Sequence, residues 1–482
     1  MSETTLKRKT ITGLIWILIE RIGNHTIGFI VSLILARLLM PEDYGVIAIV
    51  LVFINICDVF VVGGMGKALV QKKDADECDF SSIFYFNSII SLILYFILFL
   101  SAPYIAEFYS MPSLTMLIRV LGIRLFFAAY NTIQRAVVAR GMRFRMFFVS
   151  TTFGTFISAA IGIWMAYSGF GVWALVGQNL SNNIINVLVL CFMVRWYPKL
   201  LFSWERTSKL FSFGWKLLVS NLIDALYMDF RSLYIGKLYT PADLAYYTRG
   251  RQFPLFVANN INSSISAVLF PALSKRQDNV IQLKNMTRRA IQTSSFIMMP
   301  IMFLLATIAE PLVRILLTDK WIECVPFLQI LCFNGILLPI QTANIQAILA
   351  LGRSDISLKV SIIKKGIGFM IIIITASYSV LAMAYGGILI GIIASIVNSY
   401  PNKTLLKYKY VDQIKDILPF AGVSFGACLP VYFMNYLNWN PIVILVLQCI
   451  IAIILYAMLS RLFKIESLTY IIGSIKEFKK HK

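Results

Sequence analysis

RLLMPED (Arg37–Asp43) recurs as KLYTPAD (Lys237–Asp243), and the fold is decided by where these two stretches lie. Each closes one long apolar run and opens the next. A cation, a leucine, a proline and an aspartate hold the same places as the numbering moves from 37 to 237. The proline cannot continue the first helix but suits the first turn of the second. The acids after it sit at that second helix's positive end. Trp16 and Trp215 stand near the starts of the two preceding runs. Two copies of one turn at corresponding positions point to an internal duplication.

The surrounding chain is a membrane chain. Its 482 residues are 59% hydrophobic and 14% charged, with a mean hydropathy of +0.77. A soluble protein of this length needs a more polar surface. Apolar stretches of about 20 residues, enough for a hydrocarbon core of roughly 30 Å, fall at 11–38, 44–63, 80–101, 113–136, 146–167, 170–194 and 210–237. They continue at 242–270, 288–309, 326–350, 357–377, 384–402, 415–436 and 441–462. The eighth and ninth segments are the most diluted by polar residues. PLVRILLTDKWIECV (311–325) is too short and polar to span, and reads as an amphipathic interfacial piece. The first segment contains Glu20, Arg21 and His25 and has no small-residue cleavage site, so it reads as a retained helix.

The basic residues test this order. With the N-terminus inside, the inner loops carry such groups as Lys7, Arg8, Lys9; Arg135, Arg140, Arg143, Arg145; and Lys403, Lys407, Lys409. The outer loops carry Arg37, Lys237, Arg314 and Lys320. That alternation is the positive-inside pattern, and omitting one segment inverts everything after it. Six segments separate the two copies of the turn, so the copies share one orientation. The expected architecture is all-α and polytopic, with about fourteen transmembrane helices. Two pseudo-symmetric six-helix lobes, 1–209 and 210–410, are related by an axis along the membrane normal. Two further helices follow in 411–463, then a basic cytoplasmic tail, 464–482.

The net charge of +21 therefore belongs to loops facing anionic lipid head groups. No nucleic-acid partner is expected, because no basic stretch carries the interleaved aromatics or fold signature. Seven cysteines are scattered without a C-x-x-C, and the histidines are His25 and His481. The cysteines read as apolar packing residues, and no metal or cofactor is expected. There is no P-loop, no Ser/His/Asp arrangement and no large extramembrane domain.

Several charges fall inside the spans. A cation at bilayer depth costs roughly 2.5–3.5 kcal/mol on insertion scales, so it faces water or a partner. Arg21 and Arg124 each lie about 11 residues, roughly 16 Å, into their segments, near the midplane. Arg249 and Arg251 lie roughly 10–15 Å in from the outer side. At helical spacing Arg21 shares a face with Asn24, His25, Gly28 and Ser32. Lys216, Ser220, Asp224 and Tyr227 form a similar stripe on the seventh segment, and Arg249, Gln252, Asn259, Asn260 and Ser263 one on the eighth. The sixth contributes Gln178, Asn182, Asn183 and Asn186. The embedded acids, Glu20, Asp58, Asp224 and Asp229, leave an excess of cations, which points to an anionic group such as phosphate. The candidate binding residues are Arg21, Arg124, Arg249, Arg251, Lys216, Asn24, Asn182 and Asn259. Asp58 and Asp224 are the candidates for ion coupling. Pairing within the bundle is the competing role for all of these charges.

ARLLMPEDYGVIAIV (36–50), followed by GGMGKALVQKKD (63–74), resembles the bacterial polysaccharide flippases of the multidrug/oligosaccharidyl-lipid/polysaccharide superfamily. AEPLVRILLTDKW (309–321) and LGRSD (351–355) fit the same pattern, and the likeness is greatest to the colanic-acid and teichuronic-acid branch. The resemblance implies a V-shaped pair of six-helix bundles working by alternating access. It implies an undecaprenyl-pyrophosphate-linked oligosaccharide as cargo, moved from the cytoplasmic leaflet of the bacterial inner membrane. Both termini would be cytoplasmic, and a polysaccharide polymerase and chain-length machinery would be partners. Family members place cations on the first helices of each lobe; Arg21 and Arg249 match by location. In the peptidoglycan-precursor relative the two added helices make a groove for the lipid tail. A multidrug and toxin extrusion antiporter shares the two-lobe plan, but would favour an anionic cavity.

Overall fold

A computed structural model describes residues 3–437, 439–465 and 467–468. Residues 469–482, most of the expected basic tail, lie outside it, as do the side chains of Lys7, Arg8, Lys9 and Arg21. The chain runs through α1 (Glu3–Leu38), α2 (Pro41–Val62), α3 (Met65–Gln71), α4 (Glu77–Phe108), α5 (Ser113–Gly122) and α6 (Arg124–Arg140). It continues with α7 (Arg145–Tyr167), α8 (Val172–Val194), α9 (Trp204–Leu238), α10 (Pro241–Ser274), α11 (Val280–Thr307) and α12 (Ala309–Leu317). A short 3-10 turn (Asp319–Cys324) leads to α13 (Val325–Ile336), α14 (Leu338–Ala350), α15 (Ser354–Ala376) and α16 (Val380–Leu405). The last elements are α17 (Tyr410–Tyr432), a 3-10 turn (Phe433–Tyr436) and α18 (Pro441–Leu462). No strand occurs among the described residues.

Eleven helical runs among these residues are long and apolar enough to cross a membrane. The chain is a multi-pass membrane protein. The polar eighth and ninth segments are both among the eleven, as α10 and α11. The expected segments outside the eleven are the first, seventh and eleventh. For the seventh and eleventh, charges explain it: α9 carries Lys216, Asp224, Asp229 and Arg231, and α15 carries Lys359, Lys364 and Lys365. In α1 the apolar run among the described residues is Gly23–Leu38. The piece at 311–325 folds as α12 and the 3-10 turn. It buries Val313, Leu317 and Trp321, while Arg314 pairs with Glu310 and Asp319 on the other side.

Two segments expected as single helices are broken in the middle. The fourth divides at Ile123 into α5 and α6, and the tenth at Leu337 into α13 and α14. Pro339, in the first turn of α14, removes an amide donor at the second break. Gly122 marks the first, where a Cβ would come within 3.0 Å of the Tyr95 ring. The breaks fall on corresponding helices of the two halves.

The chain forms two compact units, Met1–Ala245 and Tyr246–Lys482. In the first, α7 packs along α8 and along α1, and α9 packs along α2 and α3. In the second, α11 packs against α17, α13 and α14, and α15 against α16. The second unit holds a buried polar network that ties α14, α16 and α17 together. Asn344 donates to Ser399 at 3.1 Å and to Gln413 at 2.7 Å, and Asn402 donates to Asn344 at 2.6 Å. Buried amides of this kind need each other, because lipid offers no hydrogen bonds.

The turn that opened the sequence also makes a contact, between α2 and the start of α10. Both copies begin their helix at the proline, and each aspartate accepts from the amide three residues before it, 3.2 Å for Met40 and 3.1 Å for Thr240. Gly45, two residues after the first aspartate, lies against the second proline. A Cβ there would be 1.8 Å from the Pro241 carbonyl oxygen. At the other end of α2, Gly64 has a φ of +128°, and a Cβ would be 2.3 Å from the Gly214 carbonyl oxygen. Both glycines serve as places where backbone meets backbone.

Candidate functional site

The middle third of α1 carries Glu20, Arg21, Asn24 and His25. Asn24 donates to Glu20 at 3.3 Å, and His25 is exposed. The opposite constraint on α1 is packing on α7, where Trp16 and Phe148 lie 5.4 Å apart and Arg145 sits over Trp16. Arg21 lies on this helix, but its side chain is outside the described residues.

α9 repeats the arrangement. Lys216, Ser220 and Asp224 are all exposed, on a side roughly 200–280° round the helix from Gly214, which meets α2. α1 ends at Leu38 and α9 at Leu238, so Asn24 and Asp224 hold the same register. A charge in the middle of such a helix faces water, a ligand or a partner.

Asp58 of α2 and Arg124 of α6 form an ion pair, each side chain 17% exposed. The break at Ile123 puts Arg124 at the first position of α6, where a cation meets the helix's positive end. Asp58 offsets that unfavourable placement. The pair still has unused capacity, because Asp58 Oδ1 and Arg124 Nε are buried without a hydrogen-bond partner. Arg124 is thus not the free cation that its sequence position suggests.

The other candidates divide between packing and exposure. Asn182 of α8 donates to Ser158 of α7 at 3.1 Å and serves that helix seam. In the second unit Arg249 is buried, its guanidinium 5.2 Å from the centre of the Trp321 ring and donating to Gln252 at 2.7 Å. Arg251 is half-buried and Asn259 exposed. Within the first unit, α1, α9 and the Asp58–Arg124 pair supply the polar groups. Arg249, Arg251 and Asn259 belong to the second.

Sequence reasoning missed a clamp at the end of α3. GKALVQKKD wraps the end of α3 around Arg140, which donates to the carbonyls of Leu69, Lys72 and Lys73. Lys72 pairs with buried Asp79 at 2.6 Å, and Arg206 with Asp76 at 2.6 Å. The Arg206 hydrogen bond holds the Asp76 carboxyl down to about 2. Its stabilising share is present above the ordinary carboxylate range and is lost as pH falls through about 2. The available signal was a basic residue facing a helix C-terminus.

Comparison with known proteins follows the same direction. A family model described as "Polysaccharide biosynthesis protein" matches residues 34–326. The succinoglycan biosynthesis transport protein ExoT of Rhizobium meliloti is 24% identical, over 70% of this chain and 69% of that protein. The lipopolysaccharide biosynthesis protein WzxC of Escherichia coli is 22% identical, over 90% of this chain and 88% of its own length. Among solved structures, the lipid II flippase MurJ in its inward closed conformation superposes with a TM-score of 0.78 at 16% identity. It covers 92% of this chain and 98% of that one. An inward-facing multidrug resistance transporter of the MATE family superposes at 0.59 with 16% identity, covering 80% and 94%. These superpositions show a shared transporter fold.

Proposed function

Since the chain belongs to the polysaccharide biosynthesis protein family, we propose that it is a flippase for undecaprenyl-pyrophosphate-linked oligosaccharide repeat units. It moves them across the bacterial inner membrane by alternating access, for surface polysaccharide assembly. Its termini are cytoplasmic, and it acts as a transporter rather than an enzyme. A polymerase and its chain-length machinery take over the product. The observation that carries the reading is the set of polar and cationic groups in the middle of α1 and α9, joined by the Asp58–Arg124 pair.

Pyrophosphate binds Arg21 and Lys216 and competes with Asp58 for Arg124. A guanidinium offers bidentate hydrogen bonds to phosphate as readily as to carboxylate. Released from Arg124, Asp58 is placed to exchange a proton, with Asp224 as the matching acid on α9. Arg249 and Arg251 serve the second six-helix lobe, and Asn24, Asn182 and Asn259 face sugar hydroxyls. Cargo that binds one state more tightly than the other favours the switch, because a ligand shifts only equilibria for which it has differential affinity.

A drug antiporter shares the fold, but cationic drugs need a net anionic site, and the embedded arginines and lysine oppose one. Arg21→Ala and Arg124→Ala are each expected to abolish surface polysaccharide while the protein remains in the membrane. Unchanged polymer output from both variants overturns the site.

A further inference from the structure

A cavity of about 610 Å³ opens between α2, α4 and α9, and its lining includes neither Asp58 nor Arg124. Its floor is Phe53, about 12 residues or roughly 18 Å along α2 from Pro41. Its walls are Tyr104 and Phe108 of α4 and Phe230, Leu233 and Tyr234 of α9. At its rim stands Lys237, in the last turn of α9. In the orientation read from the basic residues, this is the outer half of the membrane.

The lining is almost wholly carbon, so the space suits hydrocarbon rather than water. Of the lining tyrosines Tyr104 is exposed, while buried Tyr109 donates its hydroxyl to the Leu233 carbonyl; an exposed aromatic hydroxyl suits head-group level in a membrane protein. Lys237 is exposed; it donates to the Phe108 carbonyl, and its ammonium lies 4.2 Å from the centre of that ring. An ammonium has three donors, so two remain for a phosphate. The volume lies within the range of about 300–1,000 Å³ typical of small-ligand sites. That suits one acyl chain, not a polyprenyl chain several times as long. A single lysine also suits a phosphodiester with one charge better than a pyrophosphate.

We propose that this cavity is a site for one anionic phospholipid of the outer leaflet, with an acyl chain between α4 and α9 and its phosphate on Lys237. The occupant bridges α4 and α9 beside Gly236, where a Cβ would come within 2.8 Å of Ile49. A lipid seated there favours the state in which α9 lies against α2. This site depends on the membrane orientation but not on what the protein carries.

The test is native mass spectrometry of the purified full-length chain with phosphatidylglycerol, phosphatidylcholine or undecaprenyl phosphate. The wild type is expected to retain one phosphatidylglycerol. Lys237→Gln is expected to weaken that retention about fivefold, the worth of one basic residue near an anionic head group. Ser101→Trp, which fills the cavity, is expected to lose it altogether. Retention unchanged in Lys237→Gln overturns the proposal, whatever the folding of the tryptophan variant. So does tighter retention of undecaprenyl phosphate at the same site. Neither result bears on whether the protein exports polysaccharide.

Discussion

Asp58 and Arg124 are 66 positions apart in sequence, and no spacing rule joins them. Sequence reading placed both inside the membrane and gave them separate roles, because pairing between distant helices leaves no local pattern. Asn182 illustrates the same limit, since a polar stripe on a helix reads alike whether it faces a cavity or a neighbouring helix. Glu20 and Asn24, four residues apart, were legible as neighbours. The pair makes a definite expectation. Asp58→Asn or Arg124→Gln alone leaves a buried charge without its partner, at a cost of about 3 kcal/mol. The double variant removes both charges and is expected to be more stable than either single one. Thermal unfolding of the four proteins in detergent checks this, and additive losses would contradict the pairing.

At the scale of elements, hydropathy located every long helix but averaged across their breaks. Ile123 and Leu337 are themselves apolar, so nothing in a sliding window registers the change of direction there. The polar residues of the eighth and ninth segments did not stop α10 and α11 from being membrane-length helices. The repeated turn was the most legible feature, and it proved to contain a contact as well as a boundary. Gly45 is the residue on which that contact depends. Gly45→Leu is expected to push the start of α10 away from α2. A cysteine pair at Ile49 and Gly236 should then lose disulfide crosslinking several-fold relative to the same pair with Gly45 intact. Crosslinking unaffected by the leucine would show that backbone contact at Gly45 does not hold α9 on α2.

At the scale of the whole molecule, α9 is the helix on which the topology rests. It carries Lys216, Asp224, Asp229 and Arg231 and lies outside the eleven strongly apolar runs. The expected alternation of basic loops has it cross. Alkaline phosphatase fused after Ser203 is expected to be inactive, and fused after Tyr239 active. Equal activity at both places would remove one crossing and invert every loop that follows.

Transport itself is tested most directly in a strain lacking this gene, by measuring which leaflet holds the lipid-linked oligosaccharide. Loss of surface polysaccharide with the repeat unit accumulating on the cytoplasmic side is the expected result, restored by the wild-type chain but not by Arg21→Ala. Normal polymer at the surface, or accumulation on the periplasmic side, would contradict the flippase reading.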